Sequence, residues 1–284
     1  MRVLRTAIGG YGHTAALRSG KVVSRLLRLE FADVSPINRA FAPMVRDGCF
    51  DVCEMAVATF LQAKAYGKPL VLLPVTLAAR FQEGALLCRA DSPIRRPTDL
   101  AGRRVGVRAY SQTTGMWLRG ILADDHGVPP EAVRWVTFED AHVAEYRDPP
   151  WAERAQAGAN MLAQLRAGEL DAVIVGNDLP DDPGLRTVFS DPAAAGEAFR
   201  QRHGFVPVNH LLTVRHDLAD QPDLVAELLR MFRDAGGGAL PVGRAALQPA
   251  VALALRYSSG QGLLPRPLEL AEVWDGLLAD AHAG

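Results

Sequence analysis

The sequence predicts an α/β fold built as two lobes. Three observations carry this. Short apolar segments bounded by Gly, Pro or Asp alternate with stretches of helical period. Two strand–turn–strand transitions interrupt the alternation, one near residues 86–92 and one near 205–210. Polar residues gather just beyond the strand ends, where open α/β sheets place their ligands. Alternation of this kind implies mostly parallel sheets covered on both faces.

Strand candidates are residues 3–8, 27–33, 50–54, 69–75, 84–89, 104–108, 133–138, 172–176 and 206–214. Helical period falls over 36–47, 56–66, 111–126, 157–167, 191–203, 221–235, 244–258 and 267–281. The first crossing follows Arg89, where a Pro-containing turn leads through Asp99, Leu100 and Gly102 into a new strand. The second opens at Pro207 on a long apolar strand that returns the chain. A discontinuous first lobe follows, formed by residues 1–87 and 207–284, with a second lobe over 88–206. The stretch 139–156 is polar, contains Pro149-Pro150, and reads as a long excursion.

Composition narrows the function classes. The chain has 284 residues, 49% hydrophobic and 22% charged, with a formal net charge of −1. No global field favours nucleic acid or an anionic membrane. The bases are nearly all arginine, with lysine only at Lys21, Lys64 and Lys68, and they are scattered rather than clustered. Cys49, Cys53 and Cys88 make an odd set without C-x-x-C spacing, which gives neither a disulfide framework nor a zinc signature. The longest apolar run, PLVLLPVTLAA, is about half a membrane span and contains Pro74, so it reads as a buried strand. Met1 leads directly into a strand with no secretory pattern, and a cytoplasmic location is expected. No metal pattern, phosphate loop or dinucleotide fingerprint stands out, so no cofactor is expected. The expected partner is a small carboxylic acid, without nucleic acid or membrane, and a homo-oligomer is open.

The strand-end rule selects particular residues. After the first strand come Tyr11, His13 and Thr14, and after the third comes Glu54. The fourth is followed by Arg80, Phe81 and Glu83. In the second lobe stand Tyr110, Gln112, Thr113 and Thr114, then Asn177, and His210 lies on the return crossing. A helix opening at 111–114 offers free N–H groups to an anion, although Ser111 or Thr113 as a simple cap is the competing reading. Arg80 can grip a carboxylate through two parallel hydrogen bonds. His210 and His13 can carry protons near neutral pH. Glu54, in apolar surroundings, is read as a raised-pKa acid or as a cap, and Glu83 as a reader of a substrate hydroxyl or amine.

Several of these segments together resemble a known family. IRRPTDLAGRRVGV resembles the second-lobe entry of the type 2 periplasmic-binding-protein fold. FDVCEMAVATFL, then Tyr110-x-x-Thr113-x-x-x-Trp117-x-Arg119, GELDAVI, and Phe205-x-Pro207-x-x-His210 resemble the 4,5-dihydroxyphthalate decarboxylase family. The order holds over most of residues 1–220. The resemblance implies a non-secreted member of that bilobal fold acting on an aromatic acid. One departure is informative. Where that family has Ser-Arg-Met-Phe-Arg-His, this chain has Ala78-Ala79-Arg80-Phe81-Gln82-Glu83. Fewer cations there point away from a dianionic phthalate.

The expected activity is therefore decarboxylation of a small hydroxylated aromatic or related cyclic acid held in the interlobe cleft. His210, His13 and Glu54 are the expected catalytic groups. Tyr11, Thr14, Arg80, Phe81, Glu83, Tyr110, Gln112, Thr113, Thr114 and Asn177 are the expected binding groups. A non-catalytic intracellular acid-binding protein is the rival, and a dehydratase-type lyase of the same fold is a third reading.

Overall fold

The computed structural model describes residues 1–176, 179–236 and 238–277. Its strands are β1 (Arg2–Ala7), β2 (Leu27–Phe31), β3 (Val52–Ala56), β4 (Leu70–Ala79), β5 (Leu86–Arg89), β6 (Arg104–Val107), β7 (Arg134–Thr137), β8 (Ala152–Arg154), β9 (Ala172–Ile174), β10 (Leu185–Thr187) and β11 (Val208–Arg215). Its helices are α1 (Ala15–Arg18), α2 (Phe41–Asp47), α3 (Val57–Ala65), α4 (Thr113–His126), α5 (Met161–Ala167), α6 (Pro192–His203), α7 (His216–Ala219), α8 (Pro222–Gly236), α9 (Arg244–Gly260) and α10 (Leu270–Val273). No helix among the described residues is long and apolar enough to cross a membrane.

Two compact units result. The first comprises Met1–Ala79, Val208–Leu255 and the chain from Leu264 onward. Its five-stranded sheet runs in the order β2-β1-β3-β11-β4. β1 is parallel to β2 and β3, while β11 is antiparallel to both β3 and β4. Every residue of β3 is buried, because helices cover both faces of a central strand. Leu4, Val52, Met55, Phe60, Leu72 and Leu212 form the centre of this core.

The second unit comprises Arg80–Pro207 and Arg256–Leu263. Its six-stranded sheet has the order β10-β5-β9-β6-β7-β8. Trp117 of α4 packs edge-on against Phe199 of α6 and against Tyr257. Gly120 admits that contact, since a Cβ there would lie 2.1 Å from the Tyr257 ring.

The structure corrects four expectations. The chain leaves the first unit after Ala79, not near residue 87, because β5 pairs antiparallel with β9 and β10 in the second sheet. The proline turn after Arg89 is internal to the second unit. The sheets are mixed rather than mostly parallel, since β5, β10 and β11 run against their neighbours. Residues 256–263, assigned to the first lobe from sequence, belong to the second unit. Finally, the stretch 139–156 is not wholly irregular, because β8 pairs parallel with β7.

Candidate functional site

In the first unit, three elements converge on one carboxylate. Glu54 lies in the middle of β3 and is fully buried. Leu212 of β11 stands opposite Glu54, and His210 stands opposite Ala56. Residues two apart along a strand share a face, so His210 and Glu54 are diagonal neighbours on the same side of the sheet. His210 Nδ1 lies 2.6 Å from Glu54 Oε1. The register between β11 and β4 shifts at His210, an irregularity of the sort that re-aims a side chain. Phe41 of α2 packs edge-on against the imidazole at 5.2 Å.

The turn after β1 supplies the other donors. The Gly9 amide donates to Glu54 Oε2 at 2.8 Å, and the Tyr11 hydroxyl donates to Oε1 at 2.6 Å. Glycine is required at position 9, since a Cβ would lie 2.5 Å from the Tyr11 ring. Thr14 holds this turn: its hydroxyl donates to the Gly9 carbonyl and accepts from the Tyr11 amide. His13 stacks on Tyr11 with ring centroids 5.1 Å apart, and its Nε2 is buried without a hydrogen-bond partner.

Electrostatics assigns Glu54 a different role from the one read in the sequence. Burial is the largest single influence and opposes ionisation. The hydrogen bonds and charge of His210, with the Tyr11 and Gly9 donors, together outweigh it and hold the carboxyl below its ordinary value. Glu54 is thus a fixed carboxylate rather than a proton donor. Burial, followed by the nearby Glu54 charge, pushes the Tyr11 phenol far up, so it stays a neutral donor. A carboxylate on Nδ1 places the proton there and leaves Nε2 as the working face of His210.

The second unit holds a separate polar group. Arg80 donates through Nη2 to the Thr114 hydroxyl at 3.1 Å, and its Nε is buried without a partner. Thr114 lies in the first turn of the 14-residue α4, whose opening amides have no intrahelical acceptor. Gln112 precedes the helix without capping it, and its Oε1 is buried and unpartnered. Thr113 is buried at the helix start. Glu83 is 1% exposed, and one oxygen accepts the Gln82 amide while Oε1 is unpartnered. Its burial raises the carboxyl above its ordinary value.

Three further sequence expectations change. Tyr110 is not offered to a ligand. It is fully buried, its ring lies 3.9 Å from the Arg119 guanidinium carbon, and its hydroxyl accepts from Trp151 Nε1. Thr14 is committed to the backbone of its own turn rather than to a ligand. Phe81 packs on α6, where a Cβ on Gly196 would lie 2.4 Å from its ring. Asn177 lies outside the described residues.

Sequence reading assigned no role to two participants. Gly9 is one: the strand-end rule points to it after the first strand, but not to its amide as a donor. Arg119 is the other. Its Nη2 donates to the Tyr110 carbonyl and its Nε to Gln261 Oε1, pinning the chain that enters α4. No local pattern couples positions 119 and 261. Among the described residues, no cluster of His, Cys, Asp and Glu is arranged to hold a metal ion.

Comparison with known proteins adds to this geometry. A family model described as NMT1/THI5 like matches residues 35–176. A 4,5-dihydroxyphthalate decarboxylase of Comamonas testosteroni is 28% identical over 300 residues, covering 98% of this chain and 88% of that protein. One of Pseudomonas putida is 28% identical over 211 residues, covering 68% and 79%. Both agree with the resemblance read from the sequence. Among solved structures, the MOPS-bound alkanesulfonate-binding protein SsuA from Xanthomonas axonopodis pv. citri matches with a TM-score of 0.60 at 14% identity, covering 96% of this chain and 98% of that one. The periplasmic aliphatic sulphonate-binding protein SsuA from Escherichia coli gives 0.52 at 15%, covering 99% and 82%. These likenesses establish the fold, the bilobal α/β architecture of periplasmic binding proteins.

Proposed function

The chain belongs to the NMT1/THI5-like family, and we propose that it is a lyase that decarboxylates a small hydroxylated aromatic or related cyclic acid. The Glu54–His210 pair carries this reading. A buried carboxylate held by three donors has no need of so many partners for packing alone. Its arrangement fixes one histidine tautomer and faces any positive charge that develops on the ring.

The chemistry asked of it is simple. His210, protonated, delivers the Nε2 proton to the ring carbon that bears the carboxylate. The bond between that carbon and the carboxylate then breaks, its electron pair restores the aromatic ring, and carbon dioxide leaves. One proton is consumed per turnover, and water returns it to His210. Glu54 stabilises the imidazolium before transfer, and Tyr11 and Gly9 keep Glu54 in place. General acid catalysis of this kind contributes about 100-fold to 10,000-fold. Anion recognition falls to the second unit, where Arg80 and the start of α4 present a cation and a helix N-terminus. The curated relatives support this reaction class by name.

A second reading is non-catalytic binding. The Arg80 group is sufficient for holding an acid without any chemistry, and the solved proteins of like fold include binding proteins. Purified protein mixed with hydroxybenzoates and related acids carrying labelled carboxyl carbon decides between them. Labelled carbon dioxide release that disappears in His210→Asn supports the lyase. Ligand-induced melting shifts without release support the binder.

A further inference from the structure

Arg80 and Glu83 stand three residues apart on the run between β4 and β5, and among the described residues neither has an oppositely charged partner. Arg80 has only a hydroxyl and a backbone carbonyl as partners, the Thr114 Oγ1 and the Phe81 oxygen. Burial holds its guanidinium below the ordinary value, and among the described residues no carboxylate pairs with it. Glu83 has only backbone amides as partners among the described residues. The two do not pair with each other. Unpaired buried oxygens and nitrogens in native proteins call for an explanation. Arg80 Nε and Glu83 Oε1 are both in that condition.

We propose that Glu83 is a specificity-determining residue which reads a hydrogen-bond donor on the ligand, so that the preferred acid carries one carboxylate together with a ring hydroxyl or amine, and no second carboxylate. The inference rests on the acid-binding reading of the second unit and refines its substrate class. The two unpaired groups are complementary to such a molecule: the cation takes its carboxylate, and the free oxygen accepts its O–H or N–H. A second carboxylate at Glu83 would set acceptor against acceptor in a desolvated place. Sites built to meet a polar group discriminate strongly, because the wrong ligand leaves that group unpaired.

Glu83→Gln tests this with little change of shape. The amide oxygen can still accept the Gln82 N–H, and the amide nitrogen then puts a donor where Oε1 stands. Calorimetric titration at pH 8, with benzoate, phthalate, and the hydroxy- and aminobenzoate isomers, reads the ranking without requiring turnover. In the unaltered protein the best donor-bearing acid should bind about tenfold or more tighter than benzoate, and phthalate no better than benzoate. In Glu83→Gln that preference should vanish and phthalate should gain. An unchanged ranking in the variant, a preference for phthalate in the unaltered protein, or no binding of any of these acids overturns the proposal. Binding with the expected ranking but no carbon dioxide release would overturn the lyase reading alone.

Discussion

His210 Nδ1 lies 2.6 Å from Glu54 Oε1 across the β3–β11 pair, although 156 residues separate the two in sequence. The antiparallel register places them two positions apart on one face, and the β11–β4 pairing shifts register at His210. Glu54 has no exposure, whereas the His210 side chain is 15% exposed. The pair therefore has a sealed end and a reachable end, as a proton donor with a fixed counter-charge requires.

Replacing His210 by Asn should lower carbon dioxide release by about 100-fold or more. Binding of the same acid should change far less, since Asn keeps a polar contact to Glu54. Single-turnover release beside calorimetric titration separates the two effects. Near-normal release in this variant removes His210 from the chemistry.

The depressed Glu54 carboxyl makes stability depend on pH in a defined direction. Its folded-state pKa lies below the unfolded one, so the folded form binds the proton less readily. Its stabilising contribution is fully present above the ordinary carboxylate value of about 4.3, and is lost as pH falls through the lower folded value. Melting temperatures followed downward from neutral pH should show this loss. Glu54→Gln should remove it from the profile and cost about 1–3 kcal/mol at neutral pH, because an amide nitrogen then faces donors. Tyr11→Phe should make the loss smaller and complete it at higher pH, since one of the groups that lowers the folded-state carboxyl is gone.

Gly9→Ala should displace the Tyr11 ring, which lies 2.5 Å from where the new Cβ must stand. Overpacking of this kind costs about 1–3 kcal/mol. Denaturant unfolding measures it. Gly12→Ala is the control, because nothing lies within 4 Å of a Cβ there, and it should leave stability nearly unchanged.

Arg80→Gln should weaken acid binding by about tenfold to a hundredfold, the scale of a charge-assisted hydrogen bond. The fold should hold, because no ion pair is broken. Thr114→Val should have a smaller effect in the same direction, by freeing the guanidinium that its hydroxyl orients. Affinity unchanged in Arg80→Gln would return Arg80 to a packing role.

Much of the architecture was legible in the sequence because burial leaves a local trace. β1, β3, β4 and β11 are short apolar runs ended by polar or turn residues, and each was placed within a few residues. The unit boundary was not legible, since a Pro-containing turn looks the same within a lobe as between lobes. β8 and β10, three residues each, are too short to show a period. α9 runs unbroken from Arg244 to Gly260 while its residues divide between the units after Leu255, and a continuous helix carries no mark of that division. Glu54, His13, His210 and Arg80 were singled out by their nearness to expected strand ends, although Glu54 lies in the middle of β3 and His210 inside β11. The lowered pKa of Glu54 was not legible, because the donors that set it come from one distant strand and a turn. Tyr110 was misread because its burial depends on Arg119, Trp135 and Trp151 arriving from elsewhere in the chain.

The strand order of the first sheet has a consequence for how the molecule is made. β11 sits between β3 and β4, yet it leaves the ribosome after almost the whole second unit. Until then β3 has an open edge, and Glu54 on it lacks its histidine. A nascent chain in that condition presents a strand paired on one side only, the kind of edge that invites wrong pairing and chaperone attention. Closing the gap with β11 covers the edge and delivers His210 in the same step. A polypeptide halted before residue 210 therefore lacks both the strand that closes this sheet and the histidine that meets Glu54.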